Sequence, residues 1–254
     1  MFHTVNAFSP AFVSNNFAST SVYHFDGSNF STGPFPDAKG VSGSFIARGS
    51  TQLTSTSPKF GTASVDFDSG EPGGAILEGV DGNDATIQAF IPALNNPFTI
   101  DFWINIDAFP VGAGVRHGIY VVGIPGTLAA TVDLDLVADS SAMNLLYEGS
   151  PAVNISKPFT EISLGAWHHI AFVNVGGAPG TVYFCFDGAV VGSFAHNTTA
   201  RFGRYDTSSD IRIGYNSANR GDDVLNGRID ELHINVGTAQ WTTFPFTPPE
   251  APYL

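Results

Sequence analysis

The chain of 254 residues carries 10 Lys and Arg against 23 Asp and Glu, which gives a formal net charge of −13. Such a surface repels phosphate backbones, so nucleic acid is not expected as a partner. Charged residues make up only 13% of the chain, about half the usual share of roughly 25%. The longest apolar runs fall short of the roughly 18 residues of a membrane span, and the first residues do not resemble a signal peptide. We therefore expect a soluble protein made in a cytoplasm, without a membrane partner.

The spacing of glycine and proline along the chain predicts an all-β fold in one domain. The 28 Gly and 16 Pro residues recur at short intervals, about every 8–12 residues, as is typical of β-sandwiches and barrels. The runs between them are short and rich in β-branched and aromatic residues. The single cysteine, Cys185, cannot form an internal disulfide, and its place in the apolar run "VYFCF" predicts a buried thiol and not a nucleophile.

The first segment, residues 1–20, has an unusual composition. It combines several aromatic residues with almost no charge, so it lacks the profile of a disordered tail. Our hypothesis is an arm that docks on a neighbouring subunit or a larger particle; the alternative is an extra strand folded onto its own domain. The aromatic residues are Phe2, Phe8, Phe12 and Phe17.

The run "TIDFWINID", residues 99–107, alternates with a period of two. Ile100, Phe102 and Ile104 fall on one side of the predicted strand, and Asp101 and Trp103 on the other. This pattern predicts one core face and one largely solvated face.

The segment from His168 to Phe194 predicts an antiparallel meander of three strands. Asp187-Gly188 separates two strand-like runs and is typical of a two-residue hairpin turn. Adjacent residues on a strand point to opposite faces, so His168 and His169 are not expected to bind one zinc ion together. Trp167 is predicted to anchor the core, whereas Trp103 and Trp241 are better candidates for the surface.

The run "GRIDELHI", residues 227–234, contains two adjacent carboxylates. Strict alternation places Asp230 with Leu232 and Ile234, and places Glu231 with Ile229 on the other face. Asp230 is then a buried carboxylate that must be hydrogen-bonded, paired or bound to a metal. The two carboxylates are predicted to point to opposite sides and not to form a facing dyad.

From about residue 21 to the C-terminus the chain resembles the laminin G-like jelly rolls of the concanavalin A-like lectin and glucanase superfamily, in the variant found in bacteriophage virion proteins. The resemblance implies two antiparallel sheets packed face to face, in a domain spanning residues 21–254. The motifs that carry it, in order, are "HFDG", "SPKFGTASVDFD", "FTIDFWI", "WHHIAFV", "VYFCFDGAVV", "IRIGY", "LNGRIDELHI" and "FTPPEAPY".

The resemblance also implies a range of functions, because this fold serves glycan binding, adhesion, hydrolysis and assembly. We expect a non-enzymatic subunit displayed on a virion surface, as a capsid decoration or tail-associated protein. Its partners would be capsid or tail proteins, and it would form a homo-oligomer such as a trimer. The alternative is a carbohydrate-binding module for host-surface or environmental glycans.

A glucan hydrolase is the lesser alternative. Related glucanases carry alternating carboxylates along one strand, and the closest approach here is Asp133 and Asp135 in "TVDLDLVAD". Such a pair lies about 7 Å apart along a strand, near the roughly 5–5.5 Å of retaining enzymes. The competing interpretation is the polar face of an outer strand, and no catalytic residue is assigned.

The sequence suggests two further sites, a calcium site and an outward-facing contact loop. No cofactor is required, but the superfamily often holds calcium, and Asp26 and Asp230 are candidate ligands for a structural ion; calcium takes six to eight oxygens, which two Asp do not supply. The alternative is that Asp26 forms a turn and Asp230 caps a loop amide. The polar loop from Asn216 to Gly227 is expected to face outward as a contact surface. Its candidate contact residues are Asn219, Arg220, Asp222 and Asp223.

Overall fold

In a computed structural model the chain forms two antiparallel β-sheets packed face to face. The structure describes residues 19–41, 43–67, 76–79, 92–123, 130–147, 152–196, 202, 210–215 and 224–254. Fifteen strands and one short 3₁₀-helix lie in this part of the chain. This is the predicted two-sheet jelly-roll sandwich.

The strands are β1 (Ser19–Tyr23), β2 (Phe45–Arg48), β3 (Gln52–Thr54), β4 (Ser64–Phe67), β5 (Ile76–Gly79), β6 (Phe98–Ile106), β7 (Arg116–Gly123), β8 (Ala130–Val137), β9 (Ala142–Tyr147), β10 (Val153–Pro158), β11 (Trp167–Asn174), β12 (Gly180–Phe186), β13 (Ala189–His196), β14 (Asp210–Ile213) and β15 (Gly227–Val236). The 3₁₀-helix is Phe159–Glu161.

Sheet 1 has the order β13-β12-β11-β6-β15-β4-β3, and sheet 2 has the order β10-β9-β8-β7-β14-β5-β2. Strand β15 has two neighbours on one edge, since its first part pairs with β4 and its second part with β1. Strand β1 begins at Ser19, so the last two residues of the predicted arm belong to the sandwich.

The core lies between the two sheets and is built by the predicted alternation. Ile100, Phe102, Ile104 and Ile106 of β6 all belong to it. Sheet 2 contributes alternate residues in the same way, because each strand buries every second side chain against the facing sheet. The core residues from sheet 2 include Tyr120, Val122, Val132, Leu134, Leu136, Leu145, Ile211 and Ile213.

The predicted meander is confirmed. Strands β11, β12 and β13 are consecutive neighbours in sheet 1, and the turn residues Asp187 and Gly188 have φ angles of 49° and 80°. These are the positive values that a type I′ hairpin turn requires.

The predicted solvated face of β6 is wrong. Asp101, Trp103 and Asn105 are buried at 0%, 6% and 2% exposure. Trp103 is covered by Lys59 and Phe60 from the loop after β3, and Asp101 is covered by the C-terminal tail, residues 237–254, which lies across the outer face of sheet 1. Its aromatic residues Trp241, Phe244 and Phe246 pack against Ala171, Val173 and Cys185 of that face.

The predicted parity of β15 is also wrong, because a β-bulge interrupts the strand. The pairing with β6 shifts register between Asp230 and His233, and Glu231 has a φ of 52°. Ile229 and Leu232 both reach the core, so one extra residue stands between them. Asp230 lies opposite Trp103 and His233 opposite Asp101, which puts Asp230 and Glu231 on the same outer face.

The aromatic and thiol predictions have mixed outcomes. Trp167 is half-buried on the outer face, where its Nε1 donates to the Ser57 carbonyl at 3.0 Å, so it does not anchor the core. Trp103 is buried and not a surface residue. Cys185 is fully buried as predicted, and burial raises its pKa to about 12.

Candidate functional site

A buried polar cluster lies beneath the C-terminal tail. Asp101 accepts hydrogen bonds from His233 Nδ1 at 2.8 Å and His169 Nε2 at 3.0 Å, and the Tyr253 hydroxyl donates to the same carboxylate. Burial acts to raise the pKa of Asp101, but the two histidine hydrogen bonds lower it below the ordinary value. The tail closes this cluster from solvent, so its chemistry serves structure.

Asp230 holds the loop between β3 and β4, residues 55–63. Its carboxylate accepts the amides of Lys59 at 2.8 Å, Phe60 at 3.2 Å and Glu231 at 2.9 Å. Burial raises its pKa to about 8, aided by the charge of Glu231 and opposed by these amides. Asp230 therefore caps loop amides, as the alternative interpretation expected.

Asp26 holds the other end of the same loop. Its Oδ1 accepts the Thr62 amide, the Thr62 hydroxyl at 2.9 Å and the Ala63 amide at 3.3 Å. No group of three or more His, Cys, Asp or Glu side chains suited to a metal lies within the described residues. A structural calcium ion at Asp26 and Asp230 stays a prediction.

Glu231 connects three parts of the chain. One carboxylate oxygen accepts from His24 Nδ1 at 2.8 Å, and the other accepts the Tyr253 amide at 3.2 Å. Burial raises the pKa of Glu231, and the His24 hydrogen bond opposes this. Asp230 and Glu231 thus have separate partners, and this geometry gives no facing dyad.

Sheet 1 carries a second set of polar residues that the tail does not bury. Strand register places Gln52 opposite Asp66, Asp66 opposite Arg228, and Arg228 opposite Asn105. We call these four residues the polar row. Gln52, Asp66 and Arg228 are half-buried, so this part of the outer face stays partly open to solvent.

A cavity of about 370 Å³ opens beside the polar row. It is polar on most sides, because carboxylates, carboxamides and a hydroxyl line it. The lining residues are Ser50, Gln52, Asp66, Phe67, Asp107 and Asn226. The backbone amide of Asp107 donates to the Asn226 carbonyl at 2.9 Å, which joins two of its walls.

Arg228 links the cavity to an aromatic surface. Its Nη2 donates to Asp107 at 3.1 Å and its Nη1 to the Thr56 carbonyl at 2.8 Å. The guanidinium carbon lies 5.9 Å from the centre of the Trp167 ring, within cation–π range. A half-buried indole, a guanidinium and two carboxylates therefore stand side by side at one end of sheet 1.

The sequence did not indicate this site. Gln52, Asp66 and Arg228 come from three separate strands, and each alone is an ordinary polar residue on a strand. The period-two pattern of "SVDF", residues 64–67, does place Asp66 away from Val65 and Phe67. That pattern indicates on which face of its strand Asp66 lies, but not which residues of other strands lie beside it.

Asp133 and Asp135 share the face of β8 that lies away from the core, as predicted. The proposed outer strand is wrong, because β8 has β7 and β9 as neighbours within sheet 2. Both carboxylates are buried, at 7% and 1% exposure. Arg116 Nη1 donates to Asp135 at 3.3 Å.

Two sets of predicted residues lie outside the described part of the chain. They are the arm residues Phe2, Phe8, Phe12 and Phe17, and the loop residues Asn219, Arg220, Asp222 and Asp223. Their roles stay predictions. No helix within the described ranges is long and apolar enough to cross a membrane.

Three solved structures illustrate the likeness of the fold. Domain 4 of AbnA, a GH43 extracellular arabinanase from Geobacillus stearothermophilus solved with arabinotriose, matches with a TM-score of 0.57 and 17% identity, over 88% of this chain and 95% of that one. The binding domain of Paraclostridial Mosquitocidal Protein 1 matches with a TM-score of 0.59 and 14% identity, over 87% and 50%. A structure of botulinum neurotoxin type C, whose cell entry depends on two ganglioside molecules, matches with a TM-score of 0.55 and 14% identity, over 87% and 48%.

At these identities the structural likeness establishes the fold, and the chain spans about half the length of the two toxin structures. A comparison with curated proteins found no match. The laminin G-like family profile, described as concanavalin A-like lectin/glucanases superfamily, matches residues 81–238, which is more than half of the chain. The chain therefore belongs to the concanavalin A-like lectin/glucanases superfamily.

Proposed function

We propose that this protein is a non-enzymatic carbohydrate-binding module whose sugar site is the cavity beside the polar row. The observation that carries the proposal is the convergence of Asp66, Asp107, Gln52 and Asn226 on one solvent-open cavity of about 370 Å³. Specific ligand sites combine a concave shape with a few well-placed polar groups.

The chemistry of the lining suits neighbouring hydroxyl groups of a sugar. A carboxylate accepts from two hydroxyls, and a carboxamide both donates and accepts. Trp167 next to the polar row supplies an indole face against which the apolar side of a sugar ring can pack. Because strands hold these groups, binding requires little ordering of the site.

The charges of the cavity favour neutral sugars. Asp66 and Asp107 contribute two carboxylates, and Arg228 is bonded to one of them. The chain as a whole also carries a net charge of −13. An acidic sugar such as a sialylated oligosaccharide would therefore be repelled, and neutral oligosaccharides are the expected ligands.

Structural relatives support this class of function. Domain 4 of the arabinanase was solved with arabinotriose, and the structure of the mosquitocidal protein is a binding domain. Arabinotriose is therefore the first neutral probe to use, with a sialylated oligosaccharide as the acidic comparison.

The test is isothermal titration calorimetry of the full chain against a panel of neutral oligosaccharides that includes arabinotriose. Asp107→Ala and Asn226→Ala should each weaken binding about 10-fold or more, the effect of losing a hydrogen bond worth roughly 1.5 kcal/mol or more. Asn154→Ala, an exposed amide on β10 of sheet 2, is the matched control and should bind like the parent. Binding that survives both cavity variants would place the site elsewhere.

A hydrolase gives a different result. The proposal expects no reducing sugar to be released from any oligosaccharide that the protein binds. Release that disappears in Asp133→Asn and Asp135→Asn would establish the glucan hydrolase instead.

The second candidate function is display of this module on a bacteriophage virion, as a homo-oligomeric capsid decoration or tail-associated subunit. Its support is the charge-free aromatic composition of residues 1–18, which join the sandwich at Ser19. Binding of the purified protein to capsids or tails tests it, with a variant in which alanine replaces Phe2, Phe8, Phe12 and Phe17 as the control. Equal binding of both proteins would remove the arm from this role.

A further inference from the structure

A second concave surface lies at the opposite end of β1 from Ser19. It is a cleft of about 220 Å³ between the segment that follows β1 and strand β3. Its apolar lining is Phe25, Pro34, Phe35, Pro36, Ala38 and Leu53, and its polar lining is His24, Asp26 and Ser31. We call it the proline cleft.

The walls of the proline cleft are held by backbone hydrogen bonds. The Phe30 amide donates to the Leu53 carbonyl at 2.8 Å, and the Leu53 amide donates to the Ser31 carbonyl at 2.8 Å. Phe35 and Phe45 exchange amide hydrogen bonds of 2.7 and 3.0 Å. The cleft is thus formed before any partner arrives, which lowers the entropy cost of binding.

An exposed aromatic residue stands at the rim. Phe30 is 67% exposed and precedes the lining residue Ser31. Its φ of 67° is uncommon for a residue other than glycine. The two hydrogen bonds between this loop and Leu53 hold the strained backbone, so an exposed apolar side chain stands next in sequence to the lining of the cleft. Unusual strain of this kind is frequent at binding sites.

The size of the cleft suits a side chain. Pockets for small organic ligands usually measure about 300–1,000 Å³, and this cleft is smaller at about 220 Å³. An aromatic side chain from a protein segment, packed against Phe30 at the rim, matches both its size and its apolar walls.

The chain contains a segment of the required chemistry. Residues 1–18 lie outside the described part of the structure, include Phe2, Phe8, Phe12 and Phe17, and contain no Asp, Glu, Lys or Arg. Two copies of a protein with a net charge of −13 repel each other. An uncharged aromatic segment allows them to touch without adding to that repulsion.

The direction of β1 favours a segment from another copy. Ser19 pairs with Val236 at one end of β1, and Tyr23, which precedes the cleft residue His24, pairs with Leu232 at the other. Four residue steps separate these ends, roughly 13 Å at 3.3 Å per residue. A copy's own segment must turn back along its strand to reach its own cleft, whereas a neighbour's segment can enter from outside.

We infer that the proline cleft receives an aromatic side chain from residues 1–18 of a second copy, and that this contact joins the copies into an oligomer. The inference is independent of sugar binding, because the cleft and the sugar cavity share no lining residue. It would also supply the contact between copies in the homo-oligomer of the second candidate function.

The test begins with the mass of the full chain in solution by light scattering. The cleft variant is Phe30→Ala with Ala38→Glu; both residues are exposed, so the fold should persist. The arm variant has alanine at Phe2, Phe8, Phe12 and Phe17. Val111→Glu changes an apolar residue of 88% exposure outside the cleft and is the matched control. We expect an oligomer for the parent and the control, and a monomer for each of the two variants.

Mixing the two monomeric variants then tests exchange between copies. The cleft variant still carries a functional arm, and the arm variant still carries a functional cleft. They should form a 1:1 complex. A monomeric parent, an oligomer that persists in either variant, or variants that stay monomeric when mixed would overturn the inference.

Controls separate this result from the sugar proposal. The monomeric variants should bind sugar like the parent, and Asn226→Ala should keep the parent's mass. Near-ultraviolet circular dichroism checks that each variant retains native packing. Where the double cleft variant loses that signal, Phe30→Ala alone replaces it in both experiments.

Discussion

The backbone amide of Lys59 donates to the buried carboxylate of Asp230 at 2.8 Å, across 171 residues of sequence. This bond ties the β3–β4 loop to the bulge of β15. It also places a carboxylate whose pKa is raised to about 8 inside the fold. The pH dependence of the free energy of unfolding should therefore include a contribution from Asp230.

The sign of that dependence follows from the raised pKa. The pKa of an Asp in the unfolded chain is near its ordinary value of 3.8 and that of the folded Asp230 is about 8, so the native state binds the extra proton between these values. The stabilisation is complete below the unfolded pKa and is lost as pH rises through about 8. Urea unfolding from pH 4 to 9 should show this decline in the parent but not in Asp230→Asn. If the unfolding free energies of the two proteins change with pH in the same way, the pKa of Asp230 is not raised in the folded state.

Removing the charge of Asp101 should greatly lower the stability of the folded protein. Asp101→Asn leaves His169 and His233 without their anionic partner in a buried site, and we expect a cost of about 3–5 kcal/mol. Tyr253→Phe removes one hydroxyl donor and should cost less, about 0.5–3 kcal/mol. Denaturant unfolding measures both, with Tyr183→Phe, a half-buried tyrosine under the tail, as the control. Equal stability of Asp101→Asn and the parent would show that the histidines do not depend on the carboxylate.

Alanine substitutions at two glycines distinguish the cost of backbone strain from the cost of a collision with the tail. Gly165 has a φ of 70° with open space where a Cβ would stand, whereas at Gly188, with a φ of 80°, a Cβ would collide with the Phe246 carbonyl oxygen. Gly165→Ala should cost about 1–2 kcal/mol from its left-handed backbone alone. Gly188→Ala should cost at least about 1 kcal/mol more, the range of overpacking.

Hydrogen exchange gives the local readout of that collision. The Phe246 amide donates to the Gly188 carbonyl at 3.0 Å, so its exchange should accelerate in Gly188→Ala and not in Gly165→Ala. Equal unfolding free energies and equal exchange rates in the two variants would mean that the turn does not hold the tail.

The rate at which Cys185 reacts with a thiol reagent measures how often the tail opens. Its thiol is fully buried, its pKa is raised to about 12, and the tail aromatics cover its cluster. A thiol reagent at pH 8 should therefore react slowly with the native protein and faster with Phe244→Ala, because the thiolate forms only when the tail opens. Phe109→Ala, which disrupts the stacked Phe109–Phe159 pair elsewhere, should label at the parent rate. Faster labelling in both variants would indicate global unfolding.

Local patterns predicted the parts of the fold that depend on neighbouring residues. The alternation of β6 identified Ile100, Phe102 and Ile104 as core residues, and Asp187-Gly188 identified the hairpin turn. These features follow from side-chain geometry and backbone conformation over a few positions, so a short stretch of sequence contains the whole signal.

The failures have one physical cause in common, which is that the deciding contact is distant in sequence. A single extra residue at the β15 bulge inverts the parity of Asp230, and nothing within "RIDELHI" marks it. On the outer face of β6, Asp101 is dry because residues more than a hundred positions later cover it. The polar row depends on the register of Gln52, Asp66 and Arg228 in three strands, which no single segment encodes.

Because β15 lies in the middle of sheet 1 and comes late in the sequence, the sheet cannot be completed until this strand has been synthesised. Its residues, Gly227–Val236, stand between β6 on one edge and β4 and β1 on the other. During synthesis β1, β4 and β6 leave the ribosome long before the strand that joins them, and the backbone N–H and C=O groups that will pair with β15 must wait without those partners. Pairings of such long range form slowly, and the waiting strands are open to aggregation. Low growth temperature and chaperones should therefore raise the yield of native protein more than any change to its folded surface.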